Sequence, residues 1–188
     1  MNAEPGTLNP KLHLAVQYAI DAHGLPSRAQ IRRWARAALE RDARVTVRIV
    51  GSGEARALNR QYRGRNYPTN VLTFILRERP RLEGDLALCA PVIAREARVH
   101  GKSAAAHYAH LVVHGLLHLQ GYDHEAEREA RVMERREAGV VTRLGYPDPY
   151  GSEGVSRGFE ERACARSSRR TPAAMQRGRP GSKTRDEG

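Results

Sequence analysis

Apolar and polar residues alternate through LHLAVQYAI, Leu12 to Ile20, and more regularly through RVTVRIVG, Arg44 to Gly51, the period-two pattern of half-buried strands. Between them Pro26-Ser27 opens a stretch to about Arg41 in which Ile31, Trp34, Ala38 and Leu39 fall on a common side. That spacing predicts a helix, and the three elements together form a β-α-β unit. Ser52 reads as the N-cap of a second helix, with Ala55, Leu58 and Tyr62 at helical spacing and Gly64 ending it. Two more strands are expected in NVLTFIL, Asn70 to Leu76, and GDLALCA, Gly84 to Ala90, joined by a loop carrying arginine and proline. A helical stretch from Pro91 to Val99 follows. Ser103 then starts a helix rich in histidine that Gly121 stops. Glu125 to Leu144 predicts a last helix, charged on one side and carrying Ala130, Val132, Met133, Val140, Val141 and Leu144 on the other. The expected fold class is α/β (α+β): a single domain with a small, mostly four-stranded sheet flanked by helices.

After Tyr146 the character changes. The stretch from Gly151 onward is rich in Gly, Ser, Arg and Pro and nearly devoid of large apolar residues, so it buries too little surface to offset the entropy of ordering. The expected division is a flexible N-terminus over 1–10, a folded domain over 11–150 and a disordered basic tail over 151–188. Formal net charge is +11, from 32 Lys+Arg against 21 Asp+Glu. The tail holds nine basic and five acidic residues, so the folded part is basic in its own right. Such an excess suits a polyanion, nucleic acid first, because clustered cations release phosphate counterions. Only Lys11, Lys102 and Lys183 are lysines, and an arginine-biased genome produces the same surplus. The two cysteines, Cys89 and Cys164, match no C-x-x-C spacing, and Cys89 reads as a small core hydrophobe on a strand. The N-terminus MNAEPG has no basic start or apolar stretch, and no run approaches the ~18 apolar residues of a membrane span. A cytoplasmic protein with reduced thiols and no membrane partner is expected.

The candidate chemistry lies in HGLLHLQGYDH, His114 to His124. Residues four apart share a helix face, so His114 and His118 present two imidazoles side by side, about 6 Å apart at the backbone. Gly121 takes a left-handed conformation readily and lets the chain fold back, bringing His124 to the same point. A zinc ion held by three protein ligands keeps a fourth position for water, the arrangement of catalytic sites. A packing stripe is the alternative. It accounts for His107, His110, His114 and His118 on one face, but not for His124 beyond the glycine. Asp123 adjoins the third ligand, where it is either an acceptor for a ligand imidazole or proton shuttle, or simply a turn residue. His110, one turn before His114, either touches substrate or accepts a proton, or is a satisfied neighbour.

Zinc lowers the pKa of a bound water toward roughly 7, so a nucleophile is available at neutral pH. The ligand spacing matches the metzincin protease pattern H-E-x-x-H-x-x-G-x-x-H. Gly115, however, stands where those proteases carry the glutamate that serves as general base and protonates the leaving amine. Phosphodiester cleavage depends more on neutralising charge around phosphorus, which favours a phosphate substrate. NRQYRGRNYPTN offers such charge: Arg60, Arg63 and Arg65 stand among Tyr62 and Tyr67, with guanidinium forks for phosphate oxygens and rings for unpaired bases. An ordinary solvated loop explains the same residues.

Together with YRGRNYPTNVLTF, GDLALC and the ending LGYPDPY, the histidine motif resembles the YbeY family of bacterial endoribonucleases, over roughly Leu12 to Tyr150. The resemblance implies a single-domain α/β metalloprotein with one Zn2+ on His114, His118 and His124. It implies a ribonuclease specific for single-stranded RNA, acting in maturation of the small-subunit ribosomal RNA 3′ end and in ribosome quality control, with ribosomal RNA and the small ribosomal subunit as partners and no nucleotide cofactor. The family's functional arginine, after the tyrosine of YRG, falls on Arg63, which would hold substrate or stabilise the phosphoryl transition state. Two positions depart from the family's habit: Asn70, often aspartate, and Ile75, often proline. The expected catalytic set is Arg63, His114 and Asp123. Two other functions remain open at this point: a metzincin-like zinc protease with an unusual base, and a non-catalytic RNA-binding assembly factor with structural zinc.

Overall fold

The computed structural model describes residues 10–124 and 126–151 and the short strand Arg166–Ser168. The expected flexible N-terminus and most of the expected tail lie outside the described residues. In chain order the elements are β1 (Leu12–Tyr18), α1 (Arg28–Ala38), β2 (Ala43–Val50), α2 (Ser52–Arg63), β3 (Val71–Arg77), β4 (Leu82–Cys89), α3 (Ala90–Val99), α4 (Ala104–Leu119), α5 (Glu127–Arg143) and β5 (Arg166–Ser168). The sheet order is β1-β2-β4-β3-β5. β1, β2 and β4 run parallel, and β3 enters antiparallel beside β4 as a hairpin partner. β5 pairs parallel with β3 at the edge, within the stretch where the sequence suggests only a tail. The other four strands fall where the sequence predicts strands, the first two from their alternation.

Side-chain alternation divides the sheet into two packed faces. Val45, Val47, Leu86 and Leu88 join Ile31 and Trp34 of α1, most of α4, and Met133, Val140 and Val141 of α5 in the main core. On the other face Leu72, Phe74 and Ala87 pack against Leu58 and Tyr62 of α2, with the Tyr62 and Phe74 rings edge to face. The histidine helix and the arginine-bearing helix therefore cover opposite faces of the sheet.

Two local expectations are corrected. Ser52 is the first residue of α2, not its cap; the extended cap residue is Gly51, which supplies no side-chain bond. Val132 is exposed and Ala130 only half-buried, because the stripe of α5 that meets α4 runs Met133, Glu137, Val140, Val141, Leu144, one helical phase around.

Candidate metal centre

α4 starts at Ser103, whose hydroxyl accepts the Ala106 N–H at 3.2 Å. The helix is buried along nearly its whole length, and two glycines set how closely it lies on the sheet. A Cβ built on Gly115 would stand 2.7 Å from Leu86 Cδ2, and one on Gly84 of β4 would stand 2.4 Å from Leu119 Cδ2 and 2.9 Å from the Phe74 carbonyl oxygen. Gly115 thus faces the sheet, away from the side where the histidines gather. A side chain at the position that carries a glutamate in the protease pattern would have to displace the fully buried Leu86.

The C-terminus of α4 closes as the glycine predicts. Gly121 has φ 103°, the Tyr122 N–H donates to the Leu117 carbonyl at 3.1 Å, and the Gly121 N–H donates to the His118 carbonyl at 3.1 Å. This pair of bonds is a Schellman closure, which satisfies the last carbonyls of a helix while turning the chain. The turn is tied to the end of α1. Gln120 accepts the Glu40 N–H at 2.7 Å and donates to the Ala38 carbonyl at 2.9 Å. The Tyr122 hydroxyl reaches the Glu40 carboxylate at 3.0 and 3.1 Å, and Arg136 of α5 pairs with the same carboxylate at 3.2 Å.

These constraints bring His114, His118 and His124 together. One ligand nitrogen from each lies within 4.8 Å of the others, a set that could hold a metal ion. Ring centroids are 4.6 Å apart for His114 and His118, 4.9 Å for His118 and His124, and 5.8 Å for His114 and His124. His114 and His118 are buried and His124 is half-buried. The donor chemistry fits a metal as well. His114 Nδ1 is 2.7 Å from Glu137 Oε1, and His118 Nδ1 is 3.0 Å from the Tyr122 carbonyl. Both acceptors require a proton on Nδ1, which leaves Nε2 as the coordinating atom in each ring. Three neutral nitrogens suit zinc, nickel, copper and cobalt alike.

Asp123 accepts the backbone N–H of His124 at 2.8 Å, which holds the third imidazole's backbone in place. Arg63 lies at the end of α2, half-exposed, with the αL residue Gly64 (φ 68°) after it. Its helix covers the opposite face of the sheet from α4. Arg65 donates to the Tyr67 hydroxyl at 2.9 Å, and the Tyr67 ring is 45% exposed, so arginine and tyrosine stand together at the surface as the sequence suggests.

Glu137 is the functional-looking residue that sequence reading missed. It is 1% exposed and accepts from His114 Nδ1, from His110 Nε2 at 2.9 Å and from the Tyr150 hydroxyl. Burial pushes its carboxyl up, but the charge and hydrogen bonds of His114 and His110 outweigh burial and hold it well below the usual carboxylate range. The available signal was an acidic residue on the apolar stripe of α5. His110 is buried, with its Nε2 2.9 Å from Glu137 Oε2. His107 is likewise a core histidine, 2.9 Å from Glu96, whose carboxylate also receives the Asn70 amide at 3.1 Å. Asn70, one departure from the family habit, is thereby used as a donor. Cys89 is a buried core residue whose thiol burial pushes up.

The sequence matches the family described as Endoribonuclease YbeY over residues 22–145. The chain belongs to that family. Among curated relatives it is 57% identical over 153 residues to "Endoribonuclease YbeY" of Aromatoleum aromaticum, covering 80% of this chain and 99% of that one. It is 56% identical over 144 residues to the protein of the same name from Methylobacillus flagellatus, covering 77% and 97%. It is also similar to the solution structure of TM1509 from Thermotoga maritima, with 24% identity, a TM-score of 0.47, and coverage of 74% of this chain and 99% of that one. The YbeY match spans the whole histidine motif and Arg63. Among the described residues no helix is long and apolar enough to cross a membrane.

Proposed function

We propose that this member of the endoribonuclease YbeY family is a zinc-dependent, single-strand-specific enzyme acting on ribosomal RNA, at the 3′ end of the small-subunit RNA and in ribosome quality control. Its partners in this reading are ribosomal RNA and the small ribosomal subunit, and its compartment is the cytoplasm. The observation that carries the reading is the convergence of three imidazoles, two buried and one half-buried, on a helix whose protease-base position is a glycine packed against Leu86.

His114, His118 and His124 hold the ion, which when bound supplies Lewis acidity toward a phosphoryl oxygen or a water. Arg63, on the helix that covers the other face of the sheet, grips non-bridging phosphate oxygens of the bound strand through its planar fork, either holding the substrate or sharing the negative charge that develops on phosphorus. Asp123, through its bond to the His124 backbone, keeps the third imidazole in register. Tyr67 offers a ring on which an unpaired base can stack, the feature that separates single strands from duplex.

Arg63→Ala is expected to reduce cleavage of a single-stranded ribosomal RNA fragment by roughly 10²-fold or more, the scale of losing one transition-state donor. Bound zinc is expected to stay at the wild-type level, as metal analysis of the same preparation would show. Cleavage that survives at the wild-type rate would remove Arg63 from the mechanism. The attacking oxygen is a water or the ribose 2′-hydroxyl. A 2′-deoxy substitution at the cut site separates the two routes, since it blocks only the second. If zinc is instead the structural support of an RNA-binding assembly factor, chelation unfolds the chain and Arg63→Ala weakens RNA binding with no cleavage step to lose.

A further inference from the structure

Burying a carboxylate among apolar side chains is costly unless donors compensate it. Three donors do converge on Glu137. Oε1 takes the His114 Nδ1–H at 2.7 Å, while Oε2 takes the His110 Nε2–H at 2.9 Å and the Tyr150 hydroxyl. His110 stands edge to face on His114, with ring centroids 6.2 Å apart, and both His110 and Tyr150 bond the carboxylate that bonds His114. The Tyr150 ring stands edge to face on His110 at 5.7 Å. It is carried by the segment that follows α5, which is anchored where Lys102 Nζ donates to the Pro149 carbonyl at 3.1 Å and where Asp148 accepts the Tyr150 N–H at 2.9 Å. Tyr150 is 39% exposed, so it reaches the buried Glu137 from the surface side.

Resting on the reading of His114, His118 and His124 as metal ligands, we propose that Glu137 is a positioning residue that fixes the tautomer and ring orientation of His114, and that Tyr150, reaching in from the segment after the last helix, holds Glu137 for that task. A carboxylate behind a ligand imidazole locks the proton on Nδ1, aims Nε2 outward and raises its basicity. The hydroxyl of Tyr150 occupies Oε2 together with His110, so that Oε1 stays directed at His114. The stretch between α5 and Gly151 thereby becomes part of the metal site's construction.

The test measures zinc affinity by competition with a chromophoric chelator, the visible spectrum of the cobalt-loaded chain, and the melting temperature of the metal-free chain. The chains compared are wild type, His118→Ala, Glu137→Gln and Tyr150→Phe. Glu137→Gln is expected to weaken zinc binding by roughly 10- to 100-fold, and Tyr150→Phe by about tenfold, the lower end of that range. Both are expected to alter the cobalt spectrum while the metal-free Tyr150→Phe chain melts as wild type does. If Glu137→Gln fails to fold, Tyr150→Phe decides. Affinities and spectra unchanged in the folded variants, or affinity lost only in step with metal-free stability, would overturn the positioning role. Wild type and His118→Ala binding zinc equally would instead overturn the metal reading on which it rests.

Discussion

His118→Ala is expected to strip the chain of tightly bound metal and to lower RNA cleavage by roughly 10³-fold or more, the scale on which removing essential catalytic groups acts. His118 stands nearest both other rings, 4.6 Å from His114 and 4.9 Å from His124, so its removal leaves two nitrogens that no longer share a near neighbour. The loss should be chemical more than structural. The imidazole's own bond, to the Tyr122 carbonyl, lies in a turn still held by the Schellman bonds and by Gln120 and Tyr122 on α1. Far-ultraviolet circular dichroism should therefore stay close to wild type while metal content falls. An unfolded variant would favour zinc as a structural support, and a metal-free but active one would remove the ion from the chemistry.

Gly115→Glu is the second large effect, and it concerns the protease alternative. If Gly115 were a degenerate base position facing the metal, restoring glutamate would be tolerated. The structure points that position at the sheet instead, with the added Cβ 2.7 and 3.1 Å from the two methyl carbons of Leu86 and 3.4 Å from Thr73 Oγ1. Overpacking of this kind costs about 1–3 kcal/mol before the carboxylate is considered, and an unpaired charge driven into the core adds several kcal/mol more. For a domain whose whole stability is of order 5–15 kcal/mol, the expected outcome is a chain that is unfolded or melts far below wild type, without peptidase activity. Gly115→Ala should be milder, since its gain in helix propensity of about 1 kcal/mol offsets part of the clash. A Gly115→Glu chain that melts within a few degrees of wild type would show that α4 does not rest on Leu86 as described.

Much of this was legible in the sequence because it depends on short-range periodicity. The two-residue alternation of RVTVRIVG and the i, i+4 placement of His114 and His118 are properties of single elements, and Gly121 announces the turn that returns His124. The order of strands was not legible: β4 pairs with β2 in parallel and leaves β3 outside, a matter of how helices pack on the two faces. The same limit hid Glu137. Its helical stripe was visible, but its partners His110, His114 and Tyr150 lie on another helix and on the segment beyond. Ser52 reads as a cap in the sequence because a hydroxyl at a helix start commonly serves as one, whereas in the fold Gly51 occupies the extended position. Arg63 was legible as a residue and not as a place, since only the fold puts its helix on the face opposite α4.

The most direct test of the account joins two readings on one preparation: elemental analysis of the purified full-length chain, and its cleavage of a single-stranded ribosomal RNA fragment, both compared with His114→Ala. The account predicts one zinc ion per wild-type chain, endonucleolytic products from wild type, and the loss of metal and cleavage together in the variant. Cleavage at the wild-type rate by a chain that carries no metal would contradict it.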